Sequence, residues 1–279
     1  MRSKTRLTIT LSPELLDRLD RAIDNQRLSN RSQAIETLLR RVLEPTVTQA
    51  VILAGGDHAG GSAPPAASIG SRPLLVHTIH HLVEAGIRTV YILAGEDEAE
   101  LKAVIGSGSY LGAGVHFIEE RGRRGTAGAL KLAEPYLGDE PLLVIHGDVL
   151  TDIDIADFVS FHLDEGSLAT IAVKPRHSEP HYGQVMLQGN RITKFLATNP
   201  DGDGHDEGIS IVNTGVYLFQ PGVLGLIAAG RASQLETDVF PRLAAMGELS
   251  AFLFQGIWFD ISMPENYNRA SLRWSEKGA

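Results

Sequence analysis

The sequence predicts an α/β protein in two parts: a strand-helix-helix module over residues 1–45, and a larger domain over 46–279 with a mixed, mainly parallel sheet. Three observations carry this. A short alternating segment near the N-terminus is followed by two amphipathic helical patterns; from Gln49 onward apolar strands alternate with helical stretches; and glycines recur where those strands end. The length of 279 residues suits one small and one large domain.

Charge separates the same two parts. Of 25 basic and 34 acidic residues, nine and six fall within 1–45, a balance of +3, which leaves 16 and 28, or −12, in the remainder. Only the N-terminal part is electrostatically suited to nucleic acid. With no cysteine, the chain has no disulfide, zinc-thiolate site or thiol nucleophile. No apolar run reaches the roughly 18 residues that a membrane helix needs. Met1-Arg2-Ser3-Lys4 leads into an alternating pattern rather than a signal-peptide core, so a cytoplasmic protein is expected.

In residues 6–11, RLTITL, Leu7, Ile9 and Leu11 share one face and Arg6, Thr8 and Thr10 the other, which predicts a half-buried strand. Ser12-Pro13-Glu14 reads as an N-cap, a proline at the first helical position and an acid in the first turn. Leu15, Leu16, Leu19 and Ile23 make the apolar stripe of a helix over about 13–25. Asn30 then caps a second helix, with Gln33 as its capping-box partner and Ile35, Leu38, Leu39 and Val42 as its apolar face; Pro45 ends it. One strand and two helices bury too little surface to stand alone, so a homodimer is expected.

This segment resembles the ribbon-helix-helix family of bacterial repressors and antitoxins, through the strand RLTITL, the Ser12-Pro13 cap and the run Leu28-Ser29-Asn30-Arg31-Ser32 before the second helix. The resemblance implies that two strands pair antiparallel and enter the DNA major groove with Arg6, Thr8 and Thr10 toward the bases, while Asn30, Arg31 and Ser32 meet a phosphate. The alternative is a module that only dimerises the larger domain.

The larger domain is expected to hold strands near 49–54, 88–94, 115–119, 142–146 and 168–174, and helices near 73–85, 97–104, 126–134 and 154–163. Paired short strands follow in 184–219 and 249–259. Ligands in such sheets bind beyond the carboxyl ends of the strands. There AVILAGG breaks into Gly55-Gly56, RGTAGAL opens a helix with a glycine turn, VIHGDV delivers Asp148, and GIWFDISMPENY delivers Asp260.

Taken in order, these segments, with GIRTVYILAG (86–95), YGQVML (182–187), ITKF (192–195) and VNTGVYLF (212–219), resemble the sugar-1-phosphate nucleotidyltransferases of the mannose-1-phosphate guanylyltransferase and glucose-1-phosphate thymidylyltransferase group. The resemblance implies a Rossmann-like, GT-A-like domain. It also implies a nucleotide base against Ala54, Gly55 and Gly56 and the turn of Gly125, Thr126 and Ala127. The sugar falls near Tyr182, Gly183, Asn213, Thr214 and Gly215, and Asp148 and Asp260 are the catalytic, Mg²⁺-binding aspartates.

The pattern breaks where that family carries a GTRL loop and a catalytic lysine. Here the stretch from Asp57 to Ser71 contains no Lys or Arg, Pro64 stands in the lysine's place, and the family's FxEKP has become Phe195-Leu196-Ala197-Thr198-Asn199-Pro200. Removing one electrostatic donor commonly costs about 10² to 10³ in rate. Arg72, Arg123 and Arg124 are either replacements for that charge or solvated surface residues. These losses lead to the expectation of a dimeric, DNA-binding transcriptional regulator whose domain senses a nucleotide or nucleotide sugar. The alternatives are an active sugar-1-phosphate nucleotidyltransferase with an N-terminal dimerisation or DNA-binding module, and an inert platform. His77, His80 and His81 lie on a predicted helix, and although His77 and His81 have ligand spacing there is no third ligand, so they read as surface or packing residues. DGDGHDEG (201–208) reads as a solvated loop.

Overall fold

The computed structural model describes residues 8–21, 23, 30–35, 39, 47–55, 67–96, 98–177, 182–197 and 208–277. The chain divides into two compact units, Met1–Thr46 and Val47–Ala279.

In the first unit, α1 spans Pro13–Arg21, with Glu14 in its first turn. Ser12 Oγ accepts the Leu15 N–H at 3.3 Å, so the expected N-cap is formed. Residues 31–35 are helical, and Asn30 Oδ1 accepts the Gln33 N–H at 2.9 Å. Residues 8–12 form no strand, against the expectation for 6–11. The physical reason is that a strand is defined by a ladder, and one copy of the segment has none to pair with. Arg6 lies outside the described residues.

The second unit is built on a nine-stranded sheet in the order β5-β4-β1-β6-β11-β8-β12-β10-β9. Its strands are β1 (Gln49–Ala54), β4 (Thr89–Ala94), β5 (Gly114–Glu119), β6 (Leu142–His146), β8 (Ala169–His177), β9 (Gln184–Gln188), β10 (Arg191–Leu196), β11 (Ile209–Phe219) and β12 (Leu249–Leu253). Two small antiparallel pairs stand apart: β2 (Ser68–Ile69) with β3 (Arg72–Pro73), and β7 (Val149–Thr151) with β13 (Trp258–Asp260). The first five expected strands fall within a few residues of the observed ones.

The sheet is mixed rather than mainly parallel: β1, β4, β5 and β6 run parallel, as do β8 and β12, while β6–β11, β11–β8, β12–β10 and β10–β9 are antiparallel. The cause is the path of the chain after β8: β9 and β10 close a tight antiparallel hairpin, and the long β11 returns antiparallel between β6 and β8.

Every residue of β1 is buried, as a strand covered on both faces requires. One face carries α2 (Leu74–Glu84), α3 (Glu98–Ile105) and α5 (Ile155–Glu165) through Leu75, Ile79, Leu82, Leu101, Ile105 and Phe158. The other carries α4 (Gly125–Ala133) and α6 (Phe240–Met246) through Ala127, Leu130, Ala133, Phe240 and Leu243. The last helix, α7 (Pro264–Lys277), packs Ala270 and Trp274 with Ile69, Leu74 and Ile261. Asp154 caps α5 by accepting the Asp157 N–H at 2.9 Å, and Gly166, at φ 66°, ends it.

Of the histidines of α2, His77 and His81 are packing residues, while His80 is exposed beside Glu84. His77 Nε2 donates to Ile69 O at 2.9 Å while its Nδ1 accepts from Trp274 Nε1 at 3.2 Å, and His81 Nε2 donates to Ile153 O at 2.8 Å. Among the described residues, no helix is long and apolar enough to cross a membrane.

From β1 the chain moves outward to β4 and β5, then returns to place β6 on the other side of β1. Strand order therefore reverses at β1 and β6, and a crevice opens beyond their carboxyl ends.

Candidate active site

A cleft of about 450 Å³ lies at this reversal, and it brings together residues from seven separate segments: Thr126, His146 with Asp148, Tyr182 with Gly183, Ala197, Asn213 to Gly215, Gln234 with Glu236, and Trp258 with Asp260. The lining comprises three carboxylates and one histidine, with no Lys or Arg among the described residues.

The aspartates are placed by backbone. β6 ends at His146, and Gly147 passes so close to β1 that a Cβ there would stand 3.0 Å from the Ala54 Cα; its N–H donates to Leu53 O at 2.8 Å. Asp148 follows directly. β7 then pairs with β13, setting Asp260 opposite Val149, and the Ile261 N–H donates to Asp148 O at 2.9 Å. Trp258 Nε1 donates to the buried Thr214 O at 2.8 Å and anchors the strand that carries Asp260.

Asp260 Oδ1 accepts from Ser262 N at 2.9 Å and Ser262 Oγ at 2.5 Å. Burial, and then the negative charge of Asp148, push its carboxyl from the usual 3.8 up to about 6. Two close, half-desolvated carboxylates repel one another, and a hard divalent cation relieves that repulsion. The donor set therefore fits Mg²⁺, with remaining positions open to phosphate and water oxygens.

The opposite wall comes from a break in β11. Its register against β8 shifts between Asn213 and Tyr217, and Gly215 sits at φ 76°. This bulge turns Asn213, Thr214 and Gly215 into the cleft. Asn213 Nδ2 donates to Tyr217 Oη at 2.9 Å and its Oδ1 accepts the Gly215 N–H at 3.0 Å. Gly183 O accepts the Asn213 N–H at 2.8 Å, and Tyr182 packs edge-on against Trp258 at 5.1 Å. All five residues expected at the sugar thus share the cleft with both aspartates.

The residues expected at the base divide. Thr126 lines the cleft, but Ala127 is fully buried, with its N–H on Ser233 O at 3.0 Å. Gly125, at φ 71°, is turned so that a Cβ would lie 2.5 Å from Ser233 O. Ala54 is a buried strand residue. Gly55 faces the Glu120 carboxylate closely enough that a Cβ would overlap Oε2, and Gly56 lies outside the described residues.

Sequence reasoning missed Glu120, Glu236 and His146. Glu120 follows β5, and its Oε1 accepts the Arg124 N–H at 3.2 Å, which ties the carboxylate to the glycine turn. Glu236 sits in a π-helical turn, Leu235–Val239, a rare geometry that concentrates at functional sites. Its Oε2 accepts from Thr126 Oγ1 at 2.9 Å. No local pattern marks Glu236, but for His146 a signal was present: it stands two residues before a recognised Asp.

In the N-terminal unit, Thr8, Thr10 and Ser32 are exposed and Asn30 is engaged as a cap. Arg31 is held by Asp20 in a two-pronged ion pair of 2.7 Å and 2.7 Å, which satisfies the charge that the sequence reading directed to a phosphate.

A nucleotidyl transferase family profile matches residues 49–277. The chain is 31% identical over 232 residues to a mannose-1-phosphate guanylyltransferase catalytic subunit beta of Drosophila melanogaster, covering 79% of this chain and 61% of the relative. It is 34% identical over 203 residues to its namesake of Danio rerio, covering 71% and 54%. The chain thus spans little more than half the length of these relatives. Among solved structures, a putative glucose-1-phosphate thymidylyltransferase from Bacillus anthracis superposes with a TM-score of 0.71 at 22% identity, over 81% of this chain and 94% of that one. HddC from Yersinia pseudotuberculosis complexed with GMP-PN gives 0.69 at 22%, over 81% and 99%. These names overturn the expectation of a DNA-binding regulator with a sensor domain, because the relatives are named as transferases and none of them as a DNA-binding protein. The matched profile covers the whole sheet and every wall of the cleft, and the chain belongs to the nucleotidyl transferase family.

Proposed function

We propose that this chain is a sugar-1-phosphate nucleotidyltransferase that joins GTP to a hexose-1-phosphate, with mannose-1-phosphate the first to test, and releases pyrophosphate. The observation that carries the reading is the convergence of Asp148 and Asp260, from distant segments, in one cleft with the Asn213 to Gly215 bulge and Glu236. A phosphate oxygen of the sugar phosphate attacks the α-phosphorus of the nucleotide in line, and the bond to the β-phosphate breaks. Asp148 and Asp260 would hold a Mg²⁺, which supplies charge neutralisation for the phosphates. Asn213, the Gly215 backbone and Tyr182 orient the sugar. The stretch 57–71 supplies no side-chain cation, so turnover is expected to be slower than in a relative with a basic loop.

We assign the base contact to Glu120, which stands beside Gly55 at the end of β1, outside the lining of the cleft, and this assignment favours guanine. A carboxylate only accepts hydrogen bonds, and the Watson–Crick edge of guanine offers two adjacent donors where uracil and thymine offer one. The names of the relatives point the same way. The ribbon-helix-helix likeness of residues 1–45 enters this reading as a homodimerisation module. Its support is that Ile9 and Leu15 are exposed in a single chain, at 45% and 48%.

The test is pyrophosphate release with each nucleoside triphosphate and a panel of sugar-1-phosphates in Mg²⁺. GTP with mannose-1-phosphate is expected to lead, and no release with any pair overturns the reading. Glu120→Gln is expected to lower the preference for GTP over UTP by about tenfold or more, since a matched pair of base contacts is worth about 1 to 3 kcal/mol. An unchanged ratio removes Glu120 from the base site.

A further inference from the structure

We propose that His146 is a sugar-specificity residue which, together with Glu236, grips one hydroxyl of the hexose. The inference rests on the nucleotidyltransferase reading above and names a contact within it.

The geometry of the pair is that of a receptor awaiting a bridging group. His146 Nε2 and Glu236 Oε1 stand 4.0 Å apart, and the two side chains are each 23% exposed. That gap is too long for a hydrogen bond. It is the right width for an oxygen placed about 2.8 Å from both atoms. The angle at such an oxygen is about 90°, tighter than the roughly tetrahedral one a hydroxyl prefers, and a few tenths of an ångström of side-chain movement opens it.

The roles of the two ends follow from their other partners. Glu236 Oε2 is occupied by Thr126 Oγ1 at 2.9 Å, which leaves Oε1 as the acceptor. Tyr217 Oη accepts the Asn213 amide at 2.9 Å and reaches His146 Nε2 only at 3.4 Å. In the tautomer that carries its proton on Nε2, the imidazole has only this long contact to Tyr217 and can turn its N–H to a hydroxyl in the cleft. A sugar hydroxyl would accept from His146 Nε2 and donate to Glu236 Oε1.

The ring is fixed where this contact needs it. It packs edge-on against the fully buried Tyr217, with centroids 5.5 Å apart. On another side the Gly215 backbone closes in, since a Cβ there would be 3.2 Å from His146 Cγ. His146 shares the cleft with Asp148 two residues on, so the hydroxyl it contacts belongs to the sugar whose phosphate the aspartate pair serves. Neither an apolar residue nor a carboxylate at this position could donate.

The test compares binding of GDP-mannose and its 2-, 3-, 4- and 6-deoxy analogues to the full-length protein and to His146→Leu and His146→Asn, by calorimetry with Mg²⁺. GDP alone serves as the control for an intact fold. His146→Leu is expected to weaken the parent sugar nucleotide about tenfold, as for loss of one well-placed hydrogen bond. It is expected to leave unchanged the affinity for the single analogue that lacks the bridging hydroxyl, and His146→Asn is expected to recover part of the loss. If His146→Leu weakens the parent and all four analogues by one common factor, or weakens none, the assignment of His146 is overturned while the enzyme reading stands. If the unmodified protein releases no pyrophosphate and prefers no sugar nucleotide over GDP, the enzyme reading falls and this inference with it.

Discussion

Acid should destabilise this fold through His162, and the size of the effect can be worked from its surroundings. His162 lies in the last turn of α5 and is fully buried. Its Nδ1 is 2.7 Å from Thr170 Oγ1 and its Nε2 is 3.1 Å from Gln220 Nε2. The Gln220 amide nitrogen can only donate, so Nε2 must accept and Nδ1–H must donate to Thr170. A second ring proton would set donor against donor. Burial holds the folded-state value down at about 4, against the ordinary 6.5. Above 6.5 neither state is protonated and the stabilisation is complete; as pH falls the unfolded chain takes up the proton first, and the contribution is lost by about pH 4. A gap of about 2.5 pH units corresponds to roughly 3 kcal/mol. Asp260 works in the opposite sense: its folded value is raised to about 6 from 3.8, so in the apo protein it adds stability over an overlapping range. The raw curve should accordingly be flatter than His162 alone would make it. The comparison with His162→Gln isolates the histidine, because Asp260 and the other groups cancel between the two proteins. Urea unfolding at several pH values between about 7.5 and 4 is expected to show the wild-type advantage over His162→Gln shrinking by roughly 3 kcal/mol. A difference that stays constant across that range would refute the argument that His162 is neutral by burial.

The aspartate pair carries a paired expectation. Asp260→Asn keeps the acceptor for Ser262 but removes the repulsion with Asp148, so the metal-free variant should melt higher at neutral pH while turnover falls by about 10² or more. A lower melting temperature with intact Mg²⁺ dependence would show that the pair is not a strained cation site. Asp148→Asn should likewise lose the Mg²⁺-linked part of nucleotide affinity, read by calorimetry. Gly215→Ala forces a Cβ onto a residue at φ 76°, 3.1 Å from Val149 Cγ2 and 3.2 Å from His146 Cγ. The expected cost is about 1 to 3 kcal/mol in thermal or urea unfolding, with a raised KM for the sugar phosphate. An unchanged KM would mean that the bulge does not shape the sugar wall.

The sequence by itself determined the local elements and the parts of the site marked by a neighbour in the chain. The strands at 49–54 and 142–146 and the helix from Asp154 could be read because periodicity and capping act within a few residues. Asp148 and Asp260 stand just after and at the end of short apolar strands, and the family resemblance of those segments, taken in order, singled them out. What the sequence left open is set by pairing between distant segments. Whether β11 runs with or against β6 depends on how the chain returns across the sheet, and the expectation of a mainly parallel sheet failed there. Glu120, at the end of β5, meets Gly55 across β4, and Glu236 reaches Thr126 from a π-helical turn more than one hundred residues away. The fate of His77 likewise turned on Trp274, nearly two hundred residues later. Local propensity contains no term for such contacts. They form only when burial of the two core faces brings the strand ends together, and the tertiary structure alone decided that His146 and Glu236 stand one hydroxyl apart.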